Sequence, residues 1–150
     1  MNKTIEDIIK EWETDCQVDS LALDDSSIKF AKIHAKYIMY LTEFKLKLRM
    51  AESKLSEIRH AKWLYYTGKM TKEEMDERKW AYDPFNGNTK PLRSDLDTYV
   101  DSDAELRILI DKKTYFQTGV DALTEILDTL RWRHAHIKNC IDWRRFTSGA

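Results

Sequence analysis

Between Ser26 and Thr67 the chain holds no glycine and no proline. Apolar residues recur there in alternating steps of four and three: Phe30, His34, Tyr37, Leu41, Phe44, Leu48, Ala51, Leu55, Ile58, Lys62 and Tyr65, with His34 and Lys62 as polar interruptions. That spacing keeps one stripe on one side of a helix and has the form of a heptad seam. It predicts a single helix over 26–67, about 60 Å long at about 1.5 Å per residue. Gly68 supplies the left-handed residue that ends it.

A second seam follows the same rule: Leu106, Leu109, Lys113, Phe116, Val120, Leu123, Leu127, Leu130, His134, Ile137 and Ile141. It predicts a helix from near Asp101 or Ser102 to about Phe146, with Gly119 as a flaw costing about 1 kcal/mol relative to Ala. Thr4 and Asp7 cap a short helix over about 5–14, and an extended acidic stretch follows from Val18 to Asp25. Thr71-Lys72-Glu73-Glu74 is a capping box opening a short helix to about Trp80. Asp83-Pro84-Phe85-Asn86-Gly87-Asn88 and Pro91 mark one real loop, extending as far as Thr98. The expected fold is all-α, a single domain over 1–150: a short helix and acidic segment (1–25), a long basic helix (26–67), a short helix and loop (68–100) and a long C-terminal helix (101–147). Two seams leave apolar surface over, including Ile108, Ile110 and Ile126, and a closed homo-oligomeric ring is the simplest way to bury it.

The chain is too short of apolar runs to span a bilayer, and its acidic, amphipathic start is no signal peptide. Cys16 and Cys140 have no metal-type spacing and point to a reducing compartment. The net charge of -1 hides segregation. Residues 1–28 carry two Lys against eight acids, and residues 29–62 carry nine Lys and Arg against three. Residues 63–130 carry nine against fourteen, and 131–150 five against one. Two basic blocks fit a polyanionic partner. Pairing of opposite blocks within or between subunits explains them as well.

The densest basic-aromatic segment is Arg59-His60-Ala61-Lys62-Trp63-Leu64-Tyr65-Tyr66-Thr67-Gly68. Cations hold phosphates, and aromatic faces stack on unpaired bases at about 1–3 kcal/mol each without reading sequence. The plain structural alternative makes Trp63, Tyr65 and Tyr66 a hydrophobic plug with solvated cations around it. A second such run, Arg131-Trp132-Arg133-His134-Ala135-His136-Ile137-Lys138 with Trp143-Arg144-Arg145-Phe146, either meets DNA or a partner, or compensates the negative end of its helix. His134 and His136 stand two apart and diverge on a helix, a poor metal site. There is no glycine-rich phosphate loop, no metal cluster and no nucleophile with an evident base, so neither an enzyme nor a cofactor is expected.

Several pieces fall in order over nearly the whole length: Ile5-Glu6-Asp7, Asp15 with Val18-Asp19-Ser20, Lys36-Tyr37-Ile38, Tyr65-Tyr66-Thr67-Gly68 after a basic stretch, Ser94-Asp95, then Ile137-Lys138, Asp142, Arg144, Phe146 and Gly149. In these the chain resembles the UvsY family, the recombination, repair and single-stranded-DNA-binding proteins of T-even-like phages. One departure stands out. Where the family pattern has Lys-x-Arg before the tyrosine pair, this chain has His60-x-Lys62 with Arg59 beside it. That change implies weaker or more pH-dependent DNA binding, because the fork of an Arg is missing at position 62.

The resemblance implies a recombination mediator acting in the cytoplasm of an infected bacterial host. Its partners would be single-stranded DNA, a RecA-like phage recombinase that it loads, the phage single-strand-binding protein, and copies of itself in a ring, a heptamer on the family pattern. The implied DNA-binding residues are Lys54, Arg59, His60, Lys62, Trp63, Tyr65 and Tyr66. The implied self-association residues, on the C-terminal helix, are Phe116, Val120, Leu123, Leu127, Leu130, Ile137 and Ile141. The competing reading is a coiled-coil structural or assembly protein that binds no DNA.

Overall fold

The structure, a computed structural model, describes residues 3–17 and 23–149. Five α-helices form: α1 (Ile5–Asp15), α2 (Leu23–Tyr66), α3 (Lys72–Arg78), α4 (Leu96–Asp101) and α5 (Ala104–Thr147), with a short 3-10 turn at Arg93–Asp95. Among the described residues there is no strand, so the expectation of an all-α chain holds. The acidic stretch expected from Val18 falls on residues 18–22, outside the described residues, and its last part is not extended, because α2 already begins at Leu23. Two compact units divide the chain, Met1–Leu46 with Gln117–Ala150, and Lys47–Phe116.

In the first unit, α1 opens with the expected cap: Thr4 Oγ1 accepts from the Asp7 amide, and Asp7 accepts from the Thr4 amide. Ile5 and Ile8 of α1 are buried. Its other face is tied to α2 by carboxylates. Glu11 accepts from Lys3 Nζ at 2.5 Å, Lys36 Nζ at 2.7 Å and the Tyr40 hydroxyl at 3.1 Å. Asp15 accepts from Lys36 and from the Tyr37 hydroxyl. Within the same unit α5 buries Val120, Leu123, Leu127, Leu130 and Ile137. Gly119 corrects an expectation, for it is no flaw. A Cβ there would lie 2.3 Å from Cδ1 of Phe44, a side chain buried to 2% exposure. The glycine is what lets α2 and α5 approach.

In the second unit, the end of α2 follows from its sequence. Gly68 takes φ 74, and the Lys69 amide donates to Leu64 O at 2.9 Å while the Gly68 amide donates to Tyr65 O. This is the Schellman closure. The capping box at Thr71 and Glu74 opens α3 as expected. That helix stops at Arg78 rather than Trp80, because Lys79 turns left-handed at φ 57 and sends Trp80 back toward α2. Buried residues form two clusters, Leu55, Ile58, Val100 and Leu106, then Ala61, Tyr65, Met70 and Met75. The loop closes earlier than Thr98, since α4 buries Leu96 and Val100 one turn apart.

Candidate nucleic-acid interface

Asp103 organises the second unit at its most polar point. Its Oδ1 accepts from the amides of Glu105 (3.0 Å) and Leu106 (3.2 Å), which caps the start of α5. Its Oδ2 accepts from the Tyr66 hydroxyl at 2.8 Å and pairs with Lys62 Nζ at 3.1 Å. Lys62 also pairs with Glu105 at 3.1 Å and lies 3.9 Å from the centre of the Trp80 ring. Burial pushes the Asp103 carboxyl up. The Tyr66, Lys62 and Leu106 hydrogen bonds outweigh that and hold it below the usual carboxylate range. Burial and the same Asp103 bond push the Tyr66 hydroxyl up, so it stays a donor.

The residues expected to meet DNA therefore separate into three groups. Lys62 is only 5% exposed, Tyr65 is buried with its hydroxyl on Ala81 O at 2.7 Å, and Tyr66 is half-buried on Asp103. Within the chain these three hold α2 against α3 and the start of α5. Their heptad and aromatic positions look alike in sequence, but all point inward. Arg59, His60 and Trp63 form the second group. They lie within an arc of about 100° on the outer side of α2. Arg59 and His60 are exposed and Trp63 half-exposed. The His60 and Trp63 rings are near-parallel, 13° apart in plane, with centroids 6.5 Å apart. Arg59 has only a loose partner, Asp101, at 3.7 Å. The last residue, Lys54, stands about 140° round the helix from Arg59. It rims a different groove of about 680 Å³ with Arg49 and Lys112 over Met50, Leu109 and Phe116.

The outer face continues in both directions. Upstream, Arg49, Ser56 and Arg59 line a shallow depression. Downstream, Trp63 walls a cleft of about 440 Å³ that also takes Lys69, Lys90 and Arg93. Sequence reading passed over these last three cations because they lie scattered in the segment that joins the long helices. The signal that finds Lys69 is the Gly68 cap, which folds the next residue back over α2.

Most of the apolar residues expected to join subunits are already covered within the chain. Val120, Leu123, Leu127, Leu130 and Ile137 are buried within the single chain, and Phe116 and Ile141 are half-buried. In the first unit that seam is covered by the chain's own residues: Phe44 lies on Gly119, and Phe30 lies 5.2 Å from His134. What α5 leaves open is Ile108, one of the residues expected to be left over, at 68% exposure, and Trp132, Trp143 and Phe146, at 78%, 65% and 77%. No helix among the described residues is long and apolar enough to cross a membrane.

A family model described as "Recombination, repair and ssDNA binding protein UvsY" matches residues 11–150. The chain belongs to the UvsY family. Its fold is that of the bacteriophage T4 recombination mediator protein UvsY in three crystal forms. Lattice type II aligns at TM-score 0.83 and 20% identity, covering 98% of this chain and 99% of that one. Type I aligns at 0.78 and 20%, covering 94% and 98%, and type IV at 0.77 and 18%, covering 97% and 99%. No curated protein matches the chain. The resemblance read from the ordered motifs is thus borne out, in family by the first match and in fold by the others. UvsY membership places the chain among phage recombination and repair proteins.

Proposed function

We propose that this chain is a recombination mediator that binds single-stranded DNA on the outer face of α2 and promotes loading of a RecA-like recombinase onto strands covered by single-strand-binding protein, in the host cytoplasm. The observation that carries this reading is the trio of exposed Arg59 and His60 with half-exposed Trp63, a cation and two rings on one helix face. Cations meet phosphates and ring faces meet bases, a sequence-tolerant mode suited to any strand. Lys62, Tyr65 and Tyr66 serve it indirectly, by fixing the end of α2, Lys62 and Tyr66 through Asp103 and Tyr65 through Ala81 O. Lys54 belongs to the groove on the other side of the helix.

Self-association completes the proposal. A closed ring, a heptamer on the family pattern, multiplies a weak local site by subunit number. Trp132, Trp143 and Phe146 offer the contact, since they share a stripe of α5 and remain exposed while the inner seam is already filled.

Titration of fluorescent oligo-dT at several salt concentrations tests the binding claim. Wild type should bind and weaken steeply with salt, and Arg59→Ala combined with His60→Ala should lose affinity about tenfold without losing assembly size. Absence of binding even at low salt would leave a coiled-coil assembly protein as the better reading. Lys62→Ala is the wrong probe, because it strips Asp103 and Glu105 of a buried partner.

A further inference from the structure

The cleft beyond Trp63 extends the site just proposed and rests on that reading. Three cations converge on it, Lys69, Lys90 and Arg93, against one carboxylate, Asp97. No ion pair among the described residues involves any of the three cations, whereas Arg49, Lys54, Arg59, Lys62 and Lys113 of the same unit all have carboxylate partners. A phosphate reaching the cleft therefore displaces no existing pair. Lys69 Nζ sits 4.4 Å from the centre of the Trp63 ring, placed there by the Gly68 turn. Cation and ring thus meet at one point, as a nucleotide needs. The volume, about 440 Å³, is within the ordinary range for small-ligand sites of about 300–1,000 Å³. Thr67 in its wall stands on the same side of α2 as His60 and Trp63, so the cleft is continuous with the helix face.

We propose that the strand leaves the outer face of α2 at Trp63 and enters this cleft, where Lys90 and Arg93 hold consecutive phosphates and Lys69 holds a third beside a base resting on the indole. The cleft turns the strand off the helix onto the segment preceding α4. The single-strand site is therefore built from α2 and the connecting segment together, and Lys90 and Arg93 are binding residues of it.

The salt dependence of oligo-dT binding reads this directly. Each phosphate contact to a single strand contributes about 0.7 to the log–log salt slope. Lys90→Ala combined with Arg93→Ala should make the slope shallower by about 1.4 and weaken binding at 0.1 M salt by about tenfold or more. Both side chains are exposed, so the variant should keep wild-type melting and assembly size. Lys10→Ala combined with Lys72→Ala removes the same charge outside the cleft and should leave the slope unchanged. A wild-type slope in the Lys90/Arg93 variant, with the Arg59/His60 variant still weakened, overturns the cleft and leaves the helix site standing. Equal slope changes in the cleft and control pairs also overturn it, since any two cations would then do. Failure of wild type to bind at all removes the parent reading and this one together.

Discussion

Asp103 carries four interactions on two oxygens, and through them it joins the end of α2 to the start of α5. Replacing it with Ala removes the α5 cap, worth about 0.5–2 kcal/mol, and breaks one of the two carboxylate pairs of the buried Lys62, against a loss of about 3–5 kcal/mol for breaking a buried pair. Chemical denaturation of Asp103→Ala should show about 3 kcal/mol or more lost. A loss below about 1 kcal/mol would mean that Glu105 alone suffices to hold Lys62. Acid acts on the same class of contact. Partial burial pushes the Glu11 carboxyl up, but hydrogen bonds from Lys3, Lys36 and Tyr40 win and hold it at about 2, below its ordinary 4.5. A carboxyl lowered on folding contributes stability that is complete above its unfolded pKa and lost as pH falls through the folded one. Melting temperature should therefore hold near neutrality and fall between about pH 5 and 2, and Glu11→Gln should flatten that fall. The roles of Lys62 and Arg59 were not separable in the sequence. Both are cations of one basic run, and only the distant Asp103 and Glu105, contributed across the loop, decide that Lys62 turns inward.

At the scale of elements, the helix ends were legible because local chemistry sets them. Thr4 with Asp7, Thr71 with Glu74, and Gly68 each satisfy backbone groups within a few residues, so no tertiary information is needed. Helix α4 was hidden for the opposite reason. Six residues are too few to hold a helix alone, no side chain caps its start, and its signal is only Leu96 and Val100 one turn apart. Packing of those two against the core makes it. Gly119 shows the same limit. The sequence displays the propensity cost and not the close approach that requires it. Gly119→Ala would gain about 1 kcal/mol in propensity, yet its Cβ would press on Phe44, and overpacking costs about 1–3 kcal/mol. Thermal melts should show Gly119→Ala less stable than wild type, with Phe44→Leu partly restoring it in the double variant. A stabilised Gly119→Ala would show that Phe44 moves freely.

For the molecule as a whole, most apolar positions of the two seams are buried within the single chain. A seam is silent about whose residues cover it. Here the chain's own Phe30 and Phe44 are among them, and the exposed apolar surface of α5 falls on Ile108, as expected, and on Trp132, Trp143 and Phe146. The basic blocks likewise divide between cations already paired and cations left open, a division that only tertiary contacts make. The claim at the centre is that single-stranded DNA lies on the Arg59, His60 and Trp63 side of α2. Photocrosslinking of oligo-dT bearing 5-iododeoxyuridine to the assembled wild-type protein, with mass-spectrometric mapping, tests it most directly. Crosslinks should concentrate on peptides containing His60 and Trp63. A strand that binds but crosslinks only within residues 131–146 would contradict the account and move the site to the C-terminal aromatic stripe.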